Sequence, residues 1–343
     1  MRAAFLIVGG AIAAAGISLL AQTGPSGQTA LAEAPKALPV PSIVEGGGVT
    51  LRSVSVNFPG SNMIFPGGSK AYVINDDCLL CHSAGMALNQ ADLSQTAWHD
   101  VVEQMRNVFK APIAEEDVPT IVDYLVNLKE IMSRPPEHPP DPQHGAEIAA
   151  QGTSAGAVAC AQCHAFNGVS DSSGAFPRIA GQSAYYLSKQ LHDFTSGIRS
   201  NAIMTQIAKK LTDDDIADVT AYFAGVNGPF LPLKAPDPAL VKLGETLASV
   251  GNDQRQIQSC NDCHGPDGAG GPPAIPYLAG QYSNYIAFTL REWQRGFRRS
   301  SANEMGEVAG HLDKQDIAAL AAYFQHLRSN PQVGVAATEG QNR

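Results

Sequence analysis

The sequence has no cysteine outside three short, similar motifs, and it is poor in methionine and in positive charge. All six cysteines lie within residues 78–82, 160–164 and 260–264, so none is left to form a separate structural disulfide. The formal net charge of −9 argues against nucleic acid as a partner. Only seven methionines occur in 343 residues, which keeps any search for thioether ligands short.

The three motifs read CLLCH, CAQCH and CNDCH. Two thiols three positions apart, followed at once by an imidazole, are typical of covalent heme attachment, in which each thiol adds to a vinyl group and the histidine binds iron. A zinc site needs further ligands at defined spacing, and a dithiol redox pair needs no adjoining histidine. We therefore expect three heme c groups. The attachment residues are Cys78, Cys81, Cys160, Cys163, Cys260 and Cys263, and the iron ligands are His82, His164 and His264.

The N-terminus has the pattern of an exported protein. A positive start at Arg2 precedes an uncharged, mostly apolar run over residues 3–21, and Ala30-Leu31-Ala32 offers a cleavage site. This predicts a signal peptide over residues 1–32 and a periplasmic protein. The alternative is a retained membrane anchor, because the run of 19 residues is close to the ~20 that span a bilayer.

Composition divides the rest of the chain. Residues 33–60, rich in Pro, Gly, Ser and Val, are expected to form a linker and an extended wrap over the first domain. That domain covers residues 61–134, with helices predicted over 98–110 and 115–132. The proline-rich segment RPPEHPPDP separates it from a second domain over 143–230 and a third over 238–330, and residues 331–343 are expected to be a disordered tail.

The second and third domains are an internal repeat. Ala-Gly-Gln at 180–182 recurs 99 positions later, as does Gly-x-Arg at 197–199, and Ala-Tyr-Phe at 221–223 recurs 101 positions later. Thr212 with Asp215, and Asp313 with Asp316, have the spacing of capping boxes before a final amphipathic helix.

Methionine is the sixth ligand that the repeat predicts. Met204 lies 40 residues after His164, and Met305 lies 41 residues after His264. Thioether sulfur favours ferrous iron and raises the potential. Equivalent positions in both halves argue against mere core filling, so Met204 and Met305 are the predicted axial ligands.

The first domain leaves more than one choice. Met105, 23 residues after His82, is the predicted ligand, and a bis-histidine site that uses His99 is the alternative. Met86 lies too close to His82 to reach the opposite heme face with ease, whereas Met63 precedes the motif and Met132 falls at the end of the last helix.

Further residues are candidates to support the hemes. Pro177 and Pro276 follow the second and third motif histidines by 13 and 12 residues, and a carbonyl there would accept the second imidazole N–H. Candidate partners of the heme propionates are Tyr186, Tyr285, Trp293, Arg199 and Arg298; ordinary packing or surface charge is the alternative for each. The remaining histidines, at 138, 144, 192, 311 and 326, are expected to be solvated, surface or core residues.

From about residue 143 to 330 the chain resembles diheme cytochromes of the c4 type. The resemblance rests on the two heme motifs, on FPRIAGQSAYYL and IPYLAGQYSNYI, on the Gly-x-Arg segments, and on Met204, Met305 and the final Tyr-Phe helices. It implies two all-α lobes with His/Met ligation and electron carriage in the periplasm, and it carries the proline carbonyl role to Pro177 and Pro276. The expected fold is therefore all-α, with three class I cytochrome c domains in tandem.

The first domain has a different resemblance. CLLCHSAGMAL, followed by Trp98, Val101, Met105 and Ala-Pro-Ile at 111–113, is similar to the monoheme cytochrome subunit of periplasmic sulfite dehydrogenases. That pattern implies Met105 as axial ligand. Ala91 stands where the pattern has a proline, which leaves the carbonyl bond to His82 without its usual partner.

The expected function is electron carriage between redox partner proteins. The donor would be a dehydrogenase or a quinol-oxidising complex, and the acceptor an oxidase or a soluble carrier. An acidic first domain would dock a basic partner, while the arginines at 291, 295, 298 and 299 would meet an acidic partner or a heme propionate. A solvated face is the alternative explanation of the same charges. The alternatives are a permanent subunit of a membrane-associated dehydrogenase complex and a heme enzyme with an open first iron.

Overall fold

The computed structural model describes residues 64–133, 139–271, 274–299 and 304–327, together with the strands β1 (Ile43–Gly46) and β2 (Val49–Arg52). The two strands pair antiparallel, Ile43 opposite Arg52, within the part of the chain before residue 60. The predicted signal peptide or anchor, the tail over 331–343, Met63 and His138 lie outside the described residues. Within the described residues, no helix is long and apolar enough to cross a membrane.

From residue 64 onward the described chain is helical. The first group of helices is α1 (Tyr72–Cys78), α2 (Gly85–Leu88), α3 (Gln95–Asn107), α4 (Val118–Val126) and α5 (Leu128–Ser133). The second is α6 (Pro142–Gln151), α7 (Ala161–His164), α8 (Ala184–Ser196), α9 (Met204–Ala208) and α10 (Asp213–Gly225). The third is α11 (Pro238–Ser249), α12 (Cys260–His264), α13 (Ser283–Gln294), α14 (Glu304–Gly310) and α15 (Lys314–His326).

Three separate apolar cores lie within the three predicted domain ranges. The first is centred on Phe65, Ile74, Trp98 and Ile121. The second joins Ile148 and Ala149 of α6 to Val219 and Phe223 of α10. The third joins Leu247 of α11 to Ile317, Leu320 and Phe324 of α15. Each group of helices therefore packs around its own core, and its heme motif lies at the margin of that core.

The final helices begin where the sequence predicts. The Thr212 hydroxyl accepts a hydrogen bond from the backbone N–H of Asp215, whose carboxylate accepts one from the N–H of Thr212. Asp313 and Asp316 make the same reciprocal pair at the start of α15. Both capping boxes are confirmed.

The helix predicted over residues 115–132 is interrupted. Residues Glu115–Asp117 form a 3₁₀ turn, α4 ends at Val126, and α5 starts at Leu128. The Asn127 side-chain amide donates to the Asp123 carbonyl over 2.8 Å, so it competes with the backbone for that acceptor. The prediction of one continuous helix was wrong for this reason.

Glycine allows the first and last helices of each repeat to cross at close range. A Cβ atom at Gly145 of α6 would lie 2.1 Å from the carbonyl oxygen of Asp218 on α10. At Gly244 of α11, a Cβ would lie 2.1 Å from the carbonyl oxygen of Ala319 on α15. The backbones of these helix pairs therefore contact each other directly.

Candidate functional site

The two repeat motifs occupy short helices between the crossed pairs. The second motif consists of Cys160 followed by α7, and the third motif consists of α12. Cys160 and Cys260 are partly buried and pack against the second and third cores, whereas Cys263 is exposed. None of the six cysteines forms a disulfide, so all are available for thioether bonds.

The histidine of each repeat motif is buried and held by a proline carbonyl. His164 Nδ1 lies 3.1 Å from the carbonyl oxygen of Pro177, and His264 Nδ1 lies 2.9 Å from that of Pro276. A carbonyl only accepts, so Nδ1 donates and carries the ring proton of the neutral imidazole. Burial lowers the pKa of both histidines, which favours that neutral form. Nε2 is then left with a lone pair, as an iron ligand requires.

The first motif is built differently. It starts at the last residue of α1, Cys78, and His82 follows in a turn. His82 is only half-buried, and its Nδ1 lies 3.3 Å from the carbonyl oxygen of the adjacent Ser83. Ala91 stands in place of the expected proline, and the local carbonyl of Ser83 is what the structure places beside this imidazole.

Covalent heme fits the residues present. Each motif offers two thiols and one imidazole, and in the repeats the imidazole Nε2 is the free nitrogen. No group of three His, Cys, Asp or Glu side chains converges to hold a metal ion anywhere in the described ranges, so a zinc centre lacks a ligand set there. The donor set of imidazole and thioether is that of class I heme sites.

Met204 and Met305 occupy corresponding places in the two repeats. Met204 is the first residue of α9, where its backbone N–H donates to the Asn201 side chain over 3.0 Å. Met305 is the second residue of α14 and packs against the third core. Both side chains are half-buried.

Among the described methionines of the first domain, Met105 is the one that faces inward. It packs against the first core from α3, whereas Met86 and Met132 are 60 % and 53 % exposed. The side chain of His99, on the same helix, is 55 % exposed and lies 3.9 Å from Asp100. The geometry therefore favours Met105 over His99 as the group directed toward the core of this domain.

The candidate propionate partners meet one another across the contact between the repeats. An Arg199 guanidinium nitrogen donates to Tyr285 Oη over 3.1 Å, and Arg298 donates to Tyr186 Oη over 2.8 Å. Trp293 lies beneath the Arg298 guanidinium at 4.8 Å. Of the four arginines at 291, 295, 298 and 299, Arg298 is only 6 % exposed, so the expectation that it helps to dock an acidic partner needs correction.

Burial of the two arginines is compensated by polar partners. Arg199 also pairs with Glu292 at 3.3 Å and bonds Gln190 at 2.9 Å, while Arg298 bonds the same Gln190 oxygen at 2.7 Å. The backbones at 199 and 298 form an antiparallel bridge. The two Gly-x-Arg segments are therefore two halves of one approximately two-fold contact.

The two Ala-Gly-Gln segments complete this contact. Gln182 donates to the Tyr277 carbonyl over 3.1 Å, and Gln281 donates to the Arg178 carbonyl over 2.8 Å. In return, the backbone N–H of Tyr277 donates to the side-chain oxygen of Gln182, and the backbone N–H of Arg178 donates to that of Gln281. Sequence reasoning marked these glutamines only as a repeat. The reciprocal hydrogen bonds of these two glutamines across the two-fold contact were not predicted. The only sequence signal for them is that the same segment occurs twice in one chain.

The first domain packs on α8 of the second. Tyr72 Oη and Ser188 Oγ are 2.7 Å apart, and Lys189 Nζ lies 3.1 Å from Asp76 of α1. Burial raises the pKa of Asp76 to about 6. Burial alone would lower the pKa of Lys189, but Asp76 and Asp193 together raise it. A cation shared by two carboxylates thus ties the first heme motif helix to the second domain.

Two of the remaining histidines have defined partners. His144 Nδ1 lies 2.7 Å from a carboxylate oxygen of Asp218, so this residue is anchored and not merely solvated as predicted. The ring of His192 on α8 contacts that of Tyr72 of the first domain, with ring centroids 5.0 Å apart and the planes tilted by 51°. Neither interaction brings the histidine to a heme motif.

Comparison with known proteins agrees with this geometry. A family model described as cytochrome c matches residues 143–227 and 251–328. The chain is 37 % identical over 177 residues to a thiosulfate dehydrogenase electron acceptor of Stutzerimonas stutzeri (strain A1501), and the match covers 51 % of this chain and 82 % of that protein. It is 37 % identical over 187 residues to cytochrome c4 of Pseudomonas aeruginosa, a match that covers 54 % and 90 %.

A solved structure shares the fold. The thiosulfate dehydrogenase TsdBA of Marichromatium purpuratum superposes with a TM-score of 0.51 at 37 % identity, over 55 % of this chain. The chain spans only 40 % of the length of that enzyme. Two relatives above 30 % identity are covered over more than four fifths of their length, and the repeated motif geometry is that of tandem cytochrome domains. The chain therefore belongs to the cytochrome c family, as an electron-transfer cytochrome.

Proposed function

We propose that this chain is a triheme c-type cytochrome that accepts electrons from a periplasmic dehydrogenase and passes them to an oxidase or a soluble carrier. The observation that carries the proposal is the fixed imidazole in both repeats, where a proline carbonyl holds Nδ1 and leaves one nitrogen for iron. Covalently bound heme supplies a one-electron couple at each site. The protein supplies thioether attachment, ligand orientation and exclusion of water.

Six axial ligands are part of the proposal. His82, His164 and His264 bind on one side, and Met105, Met204 and Met305 bind on the other. Inward packing supports Met105 and Met305, and the repeat supports Met204. With two protein ligands on each iron, the chain has no open site, so we propose a carrier and not an enzyme.

The donor is the next element of the proposal. One relative is named as the electron acceptor of thiosulfate dehydrogenase, and the similar solved structure is a thiosulfate dehydrogenase itself. Both names favour a dehydrogenase of sulfur compounds as the electron donor. The first domain, similar to the cytochrome subunit of sulfite dehydrogenases, points to the same class of donor. Its residues lie outside the two ranges that match the cytochrome c family model.

Heme counting and carbon monoxide binding test the sites. The matured wild-type protein should contain three hemes per chain by pyridine hemochrome assay. Its dithionite-reduced visible spectrum should not change with carbon monoxide, because no iron position is open. M105A should gain a carbon monoxide adduct on one heme in three, while H99A, the matched control on the same helix, should gain none. An adduct in H99A but not in M105A would reverse the assignment.

Donor identity is tested by stopped-flow reduction. The oxidised protein is mixed with a thiosulfate dehydrogenase and thiosulfate, or with a sulfite dehydrogenase and sulfite. Faster reduction in the first mixture supports a donor of the kind named for the relatives. Faster reduction in the second mixture supports a sulfite dehydrogenase as donor, as the resemblance of the first domain suggests. A protein with three hemes that neither enzyme reduces would contradict a sulfur-compound dehydrogenase as donor.

A permanent complex with a dehydrogenase is the second candidate function. The TsdBA structure, in which the portion similar to this chain is 40 % of a longer thiosulfate dehydrogenase chain, favours it. Co-purification of a stoichiometric larger subunit with the tagged full chain would support that alternative over a free carrier.

A further inference from the structure

The near two-fold relation between the repeats gives α8 and α13 equivalent outer faces. Gly197 corresponds to Gly296, 99 positions later, and the bridge between residues 199 and 298 lies at the centre of the relation. By the same offset, Lys189 of α8 corresponds to Phe288 of α13, and His192 corresponds to Arg291. The residues that contact the outer face of α8 can therefore be compared with the residues that the outer face of α13 exposes.

The outer face of α8 is occupied by the first domain. Ser188, Lys189 and His192 contact Tyr72 and Asp76, through a 2.7 Å hydrogen bond, a 3.1 Å ion pair and a 5.0 Å ring contact. Both contacting residues belong to α1, the helix that ends at the first cysteine of a heme motif. This face of α8 thus receives a redox domain that presents a carboxylate.

The equivalent face of α13 is exposed. Phe288 is 48 % and Phe297 is 56 % exposed, and Arg291 and Arg295 lie on the surface between them. With residues 200–202 of the second domain, these four side chains line an open groove of about 570 Å³, which we term the α13 groove. Two exposed phenylalanines beside one groove depart from the scattered apolar residues of an ordinary surface.

The charge of the α13 groove is opposite to that of the whole chain. Its acidic lining residue, Glu292, is buried and already paired with Arg199. The exposed lining charges are therefore arginines, on a protein whose net charge is −9. Aromatic residues and arginine are the residue types that carry most binding energy in protein interfaces. A complementary surface has carboxylates around an apolar centre.

We propose that the α13 groove is the docking site for an electron-transfer partner whose acidic surface surrounds its redox centre. The partner takes the position that the first domain takes on α8, with its carboxylates against Arg291 and Arg295 and an apolar contact against Phe288 and Phe297. This inference rests on the proposed electron-carrier function and adds the place and chemistry of one partner.

Stopped-flow electron transfer to an acidic plastocyanin, used as the probe, tests the site. The full-length protein with its hemes attached is compared with R291E/R295E and F288S/F297S. The matched control is K242E/K314E, which makes the same change of net charge at exposed lysines elsewhere. R291E/R295E should lower the second-order rate constant at low ionic strength about tenfold and remove most of its salt dependence. K242E/K314E should lower it less than about twofold, and F288S/F297S should lower it at all salt concentrations.

Other results would overturn the docking site. Equal losses in the two charge-reversal variants would indicate a general charge effect. Altered heme content or visible bands in the groove variants would assign these residues to support of the hemes. A wild-type dimer in sedimentation velocity that R291E/R295E dissociates would assign the groove to a second copy of the chain. Unchanged rates contradict the docking site alone, whereas a wild-type protein that exchanges electrons with neither plastocyanin nor a basic cytochrome c contradicts the proposed function.

Discussion

Two glycines determine how closely the first and last helices of each repeat approach. Gly145→Ala and Gly244→Ala each place a methyl carbon only 2.1 Å from a backbone carbonyl oxygen of the facing helix. Backbone atoms cannot move aside as a flexible side chain would, so the helices must separate. We expect each variant to lose about 1–3 kcal/mol of the free energy of unfolding in denaturant titrations. Gly310→Ala, where a Cβ meets nothing within 4 Å, is the control and should be neutral or slightly stabilising. Equal effects at all three positions would show that the crossings are not tight.

The hydrogen bond between His144 and Asp218 makes stability depend on pH. Asp218 raises the pKa of His144 above its usual value, so the folded protein holds the proton more tightly than the unfolded chain. Stability from this pair is complete below the unfolded pKa of about 6.5 and is lost as pH rises through the folded pKa. The unfolding temperature of H144Q should fall below that of wild type at pH 5.5 and match it at pH 9. A difference that grows with pH would contradict the assignment.

Helix starts were predictable from sequence because capping is local. Thr212 with Asp215 and Asp313 with Asp316 are three residues apart, and their side chains reach only nearby N–H groups. The break at Asn127 was missed because a periodic apolar pattern continues across it. The exchange between Gln182 and Gln281 was missed for another reason: repetition shows that two segments are alike, but not that they face each other.

Capping also gives a test at the level of one helix. T212A removes the hydroxyl that accepts from the Asp215 N–H at the start of α10, so we expect a loss of about 1 kcal/mol. T195A, which removes a hydroxyl bonded to a carbonyl four residues earlier in α8, is the control and should change stability less. Denaturant titration of both variants measures the difference. A larger loss in T195A would mean that the cap contributes little.

In the proposed heme sites, the thiols and histidines are predictions from the sequence, which could be made because each motif is contiguous. It also proposed the prolines whose carbonyls lie beside His164 and His264. The surroundings of Arg199 and Arg298 could not be obtained in the same way, because they depend on how two domains meet. Only the structure of that contact shows that Arg291 and Arg295 are exposed whereas Arg298 is buried.

The position of the first domain on the repeat pair depends on Lys189. Its ammonium lies 3.1 Å from Asp76 and 2.8 Å from Asp193, and its side chain is 11 % exposed. K189M leaves the two carboxylates without their shared cation, and removal of one partner from such a buried group costs several kcal/mol. We expect an earlier, separate thermal transition for the first domain in calorimetry. K242M, at an exposed pair, should leave one transition unchanged.

This cost should depend on pH in a defined direction. Burial raises the pKa of Asp76 to about 6, so the folded protein takes up a proton there at a pH where the unfolded carboxyl is still ionised. Above pH 6 the carboxylate is charged and needs the cation; below it the carboxyl is neutral and needs the cation less. The effect of K189M should therefore be largest at pH 8 and smaller at pH 5. An effect of equal size at pH 8 and pH 5 would mean that Asp76 is not the carboxylate that Lys189 chiefly stabilises, and that the ion pair does not hold the first heme motif helix on α8.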